Sequence, residues 1–112
     1  MTLLYVAAFL LVATGASAAS QLIETRAEAL AYIDTTFSNH NCTMRRSAFF
    51  SQMERDGVAP TVDDMSRPTD GSLKIIRQRR VLLALEELFQ AGAIQEDKTD
   101  KTIAISQFGG CA

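Results

Sequence analysis

Side chains that build metal sites and catalytic centres are scarce in this sequence. It has no tryptophan, two cysteines and a single histidine, His40. One histidine and two cysteines are too few for a zinc site of usual composition, and we expect neither a metal nor another cofactor. Cys42 lies two residues from His40, but a catalytic thiol also needs a third group that orients its base, and the pattern indicates none. The sequence therefore predicts a protein without enzymatic activity.

Charged side chains are absent from the beginning of the chain, where Glu24 is the first. Leu3 to Ala13 form an apolar run, and Ala16-Ser17-Ala18 follows it, a pattern typical of a secretory signal peptide with its cleavage site. The run is shorter than the roughly 20 apolar residues of a membrane-spanning helix. The one departure from the signal-peptide pattern is that no Lys or Arg precedes the run. We predict a signal peptide at residues 1–18 and a secreted or periplasmic protein at 19–112, which is one small domain. An uncleaved anchor and a buried helix are the alternatives.

A net positive charge is also missing. The chain has 11 Lys and Arg residues against 13 Asp and Glu residues, which gives a formal charge of −2 at pH 7. Because nucleic-acid binding rests on an excess of basic side chains that neutralise phosphates, we expect no nucleic-acid partner. Membrane association through the basic residues is expected to be weak.

The two cysteines, Cys42 and Cys111, both lie in the predicted mature part, so only one intramolecular pairing exists. In an oxidising compartment the default state of such a pair is a structural disulfide. The bond would close most of the domain into one loop, which the chain-entropy relation converts to roughly 4 kcal/mol of stabilisation. Export and the disulfide therefore support each other.

Helical periodicity covers three segments of the mature part. Thr25 and Glu28 match a capping box at the start of the first segment, and Gly57 and Gly92 follow the second and third as left-handed stops. The first predicted helix runs from near Thr25 to Phe37, and its apolar stripe is expected to be buried together with Ile23: Ala27, Leu30, Ile33 and Phe37. An extended tract at Cys42–Met44 and a helix from about Arg45 to Asp56 follow, and then a connection over 57–72 with one helical turn after Thr61. The last elements are a helix from roughly Leu73 to Ala91 and a hairpin whose strands flank Glu96–Lys101. The fold class is α+β and mostly helical, with three helices, a C-terminal β-hairpin and one disulfide.

This order of elements resembles a winged helix-turn-helix domain over about residues 25–106. The resemblance implies that the tract at Cys42–Met44 is a strand, which pairs antiparallel with the last strand of the hairpin. Cys42 and Cys111 would then lie near each other, as a disulfide requires. In DNA-binding relatives the third helix is the recognition helix, so a DNA-binding regulator is the alternative function if residues 1–18 are not a working signal.

The beginning of the long helix carries a basic cluster of four residues, Lys74, Arg77, Arg79 and Arg80. Acidic residues do not stand four positions after any of the three arginines, so the usual pairing along a helix does not neutralise them. They either pair with acidic side chains elsewhere on the surface, such as Asp63 and Asp64, or form a site for an anionic partner.

Two apolar residues of the same helix, Ile76 and Leu83, fall on its polar side. Either the first helix or the connection covers them, or they mark a contact site rimmed by charges. The sequence places the binding surface of a protein partner, in the envelope or the extracellular space, at Ile76, Arg77, Arg79, Arg80 and Leu83. It predicts a non-catalytic protein-interaction module and does not identify the partner.

Mass spectrometry of the protein from its natural source tests the export prediction. We expect a polypeptide that begins at Ala19 and is lighter than the reduced chain by two hydrogen atoms, because cleavage follows Ala18 and the two thiols are oxidised. A protein that keeps Met1 and two free thiols would contradict the prediction and favour the DNA-binding alternative.

Overall fold

The computed structural model describes residues 23–112, so the predicted signal peptide at 1–18 lies outside the described residues. Within that range the chain is an α+β domain, mostly helical, with a three-stranded antiparallel sheet and one disulfide. Its elements are α1 (Arg26–Ser38), β1 (Thr43–Arg45), α2 (Arg46–Arg55), the short α3 (Val62–Met65), α4 (Pro68–Gln90), β2 (Ile94–Asp97), β3 (Thr102–Ile105) and a 3₁₀ turn (Gly109–Cys111).

The first helix begins at the predicted capping box. The Thr25 hydroxyl accepts a hydrogen bond from the Glu28 backbone N–H, and the Glu28 carboxylate accepts one from the Thr25 N–H. These bonds satisfy donors that a helix start otherwise leaves open. The predicted buried stripe is wrong at Ala27, which is exposed. The buried residues of α1 include the predicted Ile33 and Phe37 and repeat every one, three or four positions along one helix face: Ala29, Tyr32, Ile33, Thr36 and Phe37.

Aromatic side chains join α1 to α2 in the core. The Phe37 and Phe49 ring centroids are 5.1 Å apart, and those of Tyr32 and Phe49 are 6.4 Å apart. The Tyr32 hydroxyl donates to the Asp56 carboxylate at 2.7 Å, and burial together with this bond raises the pKa of Tyr32. α2 ends just before the predicted left-handed glycine, Gly57, whose φ is 73°.

The sheet has the strand order β1-β3-β2, and both pairings are antiparallel. Thr43 pairs with Ala104, and Ile94 pairs with Ile105. The hairpin and the pairing of the first strand with the last are therefore present as predicted. Inward side chains of the strands, such as Ile103 and Ile105, are buried against the helices.

The longest helix starts earlier than predicted. α4 begins at Pro68 instead of about Leu73. Proline has no N–H to satisfy and its φ suits a first helical position, which is why a residue typical of loops begins this helix. The single helical turn predicted after Thr61 is α3, which lies in the connection between α2 and α4.

The C-terminal segment returns to the end of α1. Cys42 and Cys111 form the predicted disulfide, with their Cα atoms 5.7 Å apart. Next to it, the Gly110 N–H donates to the Asp34 carboxylate at 2.8 Å, and the Ile105 N–H donates to the Cys42 carbonyl at 2.9 Å. The bond thus joins the end of α1, the start of β1 and the chain after β3.

Replacing Cys42→Ser together with Cys111→Ser tests this closure. We expect the free energy of unfolding to fall by about 4 kcal/mol, because the unfolded chain is no longer restrained as a loop. Urea denaturation of the oxidised wild type and of the double variant measures the difference. Dithiothreitol should destabilise the wild type and leave the double variant unchanged; a wild type that is indifferent to reduction would contradict a structural role.

Candidate functional site: the exposed face of α4

α4 has a buried side and an exposed side along its 23 residues. Its buried side packs against α1 and the hairpin, and consists of Val81, Ala84, Leu85 and Leu88. The other side carries the residues that the sequence predicted as a binding surface. The contacts of each of these residues decide which are available to a partner.

Two of the predicted binding residues, Arg77 and Arg80, are held by contacts within the chain. The Arg77 guanidinium donates to the Gly57 carbonyl at 3.2 Å, and the Arg80 guanidinium donates to the Ile23 carbonyl at 3.0 Å. Both side chains are half-buried. Arg77 connects α4 to the turn after α2, and Arg80 connects α4 to the segment before α1. The two guanidinium groups therefore bind backbone carbonyls of this chain and hold the segments at Gly57 and Ile23 against α4.

Lys74 of the basic cluster pairs with an acidic residue of α3, which is one of the two alternatives that the sequence left open, and Arg67 just before α4 pairs with another. The Lys74 ammonium lies 2.9 Å from the Asp64 carboxylate, and Arg67 lies 3.7 Å from Asp63. Hydrogen bonds from the Thr61 backbone N–H and from Lys74 lower the pKa of Asp64 to about 2. These pairs hold α3 against α4 and leave little unpaired charge at this end of the helix.

Arg79 is the arginine of the cluster that remains accessible. Its side chain is exposed and has no ion-pair partner among the side chains that the structure describes, at 23–67 and 71–112. Glu86 lies two helical turns further along, is exposed, and likewise has no cationic partner in that part of the chain; it accepts only a 3.3 Å hydrogen bond from Gln90. By contrast, the neighbouring Glu87 pairs with Arg26 of α1 at 2.6 Å, and this bond lowers the pKa of Glu87.

Two apolar residues next to these charges on α4 are exposed. Ile76 is 44% exposed and Leu83 is 60% exposed, so of the two alternatives that the sequence left open, coverage by the first helix or by the connection is wrong. A shallow groove of about 330 Å³ runs beside them, lined by Ile75, Gln78, Arg79, Leu82 and Leu83. The groove provides apolar surface next to one accessible arginine.

The apolar side of the groove was not foreseen. Ile75 and Leu82 lie at helical spacing with the core residues of α4, but both are only half-buried. The stripe of α4 is wider than the surface that α1 and the hairpin cover. An apolar stripe on α4 that is wider than the surface of the elements packed against it is the sequence feature that could have predicted this groove.

A second depression of about 400 Å³ lies between the start of α2 and the hairpin turn, lined by Arg45, Arg46, Ser47, Phe50, Asp100 and Lys101. Arg46 is held there by Glu96 through two hydrogen bonds at 2.6 and 2.8 Å. The remaining charges include Asp100 between Arg45 and Lys101, so the depression presents both signs and favours no single ligand charge.

The single histidine and the two cysteines are engaged in bonds within the part of the chain that the structure describes. His40 bonds to the Thr36 carbonyl at 2.8 Å, and both cysteines are in the disulfide. Among residues 23–112 no three His, Cys, Asp or Glu side chains are placed to hold a metal ion. The helices there include none with the length and apolarity to span a membrane.

The different contacts of the three arginines predict different costs of removal. Arg77→Met and Arg80→Met should each lower the free energy of unfolding by about 1–2 kcal/mol, because each leaves a part-buried carbonyl without its charged donor. Arg79→Met should change it by less than about 0.5 kcal/mol, since Arg79 holds nothing in the fold. Urea denaturation checks all three variants, and equal losses for Arg79 and Arg80 would contradict the assignment.

Comparison with known proteins supplies no relative. No protein-family model, no curated protein and no solved structure matches this chain. The function of the α4 surface is therefore argued from its own contacts and charges.

Proposed function

We propose that this protein is an exported, non-catalytic domain of winged-helix-like order that binds a protein partner through the exposed face of α4. The binding surface is formed by Ile76, Arg79 and Leu83 and extends into the adjacent groove. Arg77 and Arg80, which the sequence also placed there, support this face by positioning α4. The partner is an exported or envelope protein.

The observation that carries the proposal is the exposure of Ile76 and Leu83 beside an accessible arginine. Large apolar side chains on one helix face, two turns apart, cost solvation free energy unless another surface covers them. Arginine is enriched in protein interfaces, and the fully buried core of an interface is more apolar than the rest of the surface. The groove beside them offers a place for a side chain of the partner.

Intramolecular pairing favours a protein partner over DNA. Phosphate binding needs several basic side chains that are accessible together. Lys74, Arg77 and Arg80 are engaged by Asp64 and by two backbone carbonyls, which leaves Arg79 as the accessible member of the cluster. The disulfide between Cys42 and Cys111 also suits an oxidising compartment, and supports a secreted or periplasmic location.

A photocrosslinking amino acid at position 83, introduced into the protein in its natural host, tests the proposal. Irradiation should give a covalent adduct with whichever protein lies on this face, because Leu83 is at its centre. Arg79→Glu in the same chain should strongly reduce the adduct, since it reverses the accessible charge.

The matched control carries the photocrosslinker at position 98, on the exposed hairpin turn, and should give no adduct of the same mass. Absence of any adduct from position 83, or the same adduct from both positions, would refute the α4 surface as a binding site. Binding of duplex DNA at physiological salt that Arg79→Glu abolishes would favour the regulator instead.

A further inference from the structure

The exposed face of α4 has a heptad-like pattern. Ile76, Arg79, Leu83 and Glu86 follow one another at spacings of three, four and three residues, which places all four along one seam of the helix. All four are exposed. Ile76 and Leu83 supply apolar surface along which a second helix can pack, whereas Arg79 and Glu86 occupy positions that are apolar in a regular heptad seam. A helix on this face must therefore offer charges of opposite sign to these two residues, and this requirement describes the partner helix.

The order of charges on the seam specifies the direction of that helix. Arg79 precedes Leu83 and Glu86 follows it. A second copy of α4 packed parallel and in register would set Arg79 against Arg79 and Glu86 against Glu86, which is repulsive. A second copy packed antiparallel reverses the order, so that each Arg79 faces a Glu86.

The register of the antiparallel pair follows from the same residues. Arg79 stands three residues before Leu82, and Glu86 stands three residues after Leu83. A twofold axis beside Leu82 and Leu83 therefore brings Arg79 of each copy opposite Glu86 of the other, and makes two ion pairs at once. The same axis sets Leu83 of one copy against Leu82 of the other, in the groove beside α4.

The neighbouring charges do not compete for these partners. Arg80 is bonded to the Ile23 carbonyl, and Glu87 is paired with Arg26. Arg79 and Glu86 are the charged residues of the seam that have no ion-pair partner among the side chains described at 23–67 and 71–112. Complementary charge on a self-complementary surface is what an isologous dimer requires.

From this complementarity we infer that the partner on the α4 face is a second copy of this chain, bound antiparallel about a twofold axis next to Leu82 and Leu83, with Arg79 of each copy paired to Glu86 of the other. The inference rests on the proposed function, since it names the protein that occupies the same surface.

Sedimentation equilibrium of the purified, oxidised protein over a concentration series tests the inference, with charge reversals at the two positions. Arg79→Glu and Glu86→Arg should each raise the dissociation constant of the dimer about tenfold, because two attractive pairs become repulsive. The double variant Arg79→Glu with Glu86→Arg should restore it, since the pairs are exchanged and not lost.

Mixing the two single variants gives the decisive result. Each variant carries like charges at both positions and should associate poorly with itself, whereas the mixture should form a heterodimer with both ion pairs restored. Lys98→Glu, an equal charge reversal on the hairpin turn, should leave the wild-type dissociation constant unchanged. Thermal unfolding of each variant at high dilution should match the wild type, which separates lost association from lost folding.

Several outcomes would overturn the inference. A wild type of monomer mass at every concentration excludes the dimer, and a dimer that the charge reversals do not weaken excludes this interface. Failure of the mixed variants to associate excludes the antiparallel register. If the photocrosslinker at position 83 yields an adduct with a different protein while the chain stays monomeric, the proposed function stands and this inference fails.

Discussion

The disulfide between Cys42 and Cys111 is the constraint on which the rest of this fold depends. The bond joins the segment between α1 and β1, which holds Cys42, to the segment after β3, which holds Cys111. A domain of this size buries a modest core, so one covalent closure is a large part of its stability. Antiparallel pairing holds β3 between β1 and β2, and the sheet contacts α4 through β2.

Polar contacts then set the position of α4. Arg80 binds the carbonyl of Ile23 before α1, and Arg77 binds the carbonyl of Gly57 after α2. Lys74 joins the helix to α3 through Asp64. These three contacts engage Lys74, Arg77 and Arg80, so that Arg79 is the cluster's residue without a bonded partner among the described side chains. Glu86, further along the same face, likewise has no cationic partner there.

A face with one accessible charge of each sign around exposed apolar residues suits protein contact better than phosphate. Phosphate recognition gains from accumulated positive charge, which pairing within this chain removes. The opposite charges of Arg79 and Glu86 are what the proposed antiparallel pairing with a second copy uses. The same resemblance in element order that suggests DNA binding is thus compatible with a protein-binding role for the corresponding helix.

Local features made much of this fold predictable from sequence. The capping box of Thr25 and Glu28, the left-handed glycines at positions 57 and 92, the hairpin and the cysteine pairing each depend on neighbouring residues or on a single possible partner, and the structure confirms them. The start of α4 at Pro68 was missed because proline suits both a loop and a first helical turn.

The candidate site divides in the same way. The sequence located the face of α4 with Ile76, Arg79 and Leu83, because helical periodicity alone assigns residues to a face. It could not separate Arg79 from Arg77 and Arg80, since the carbonyls that bind those two belong to segments far away along the chain. Nor could it show that Ile75 and Leu82 stay half-buried. Periodicity determined which side chains point together, and only the tertiary packing decided which of them remain available to a partner.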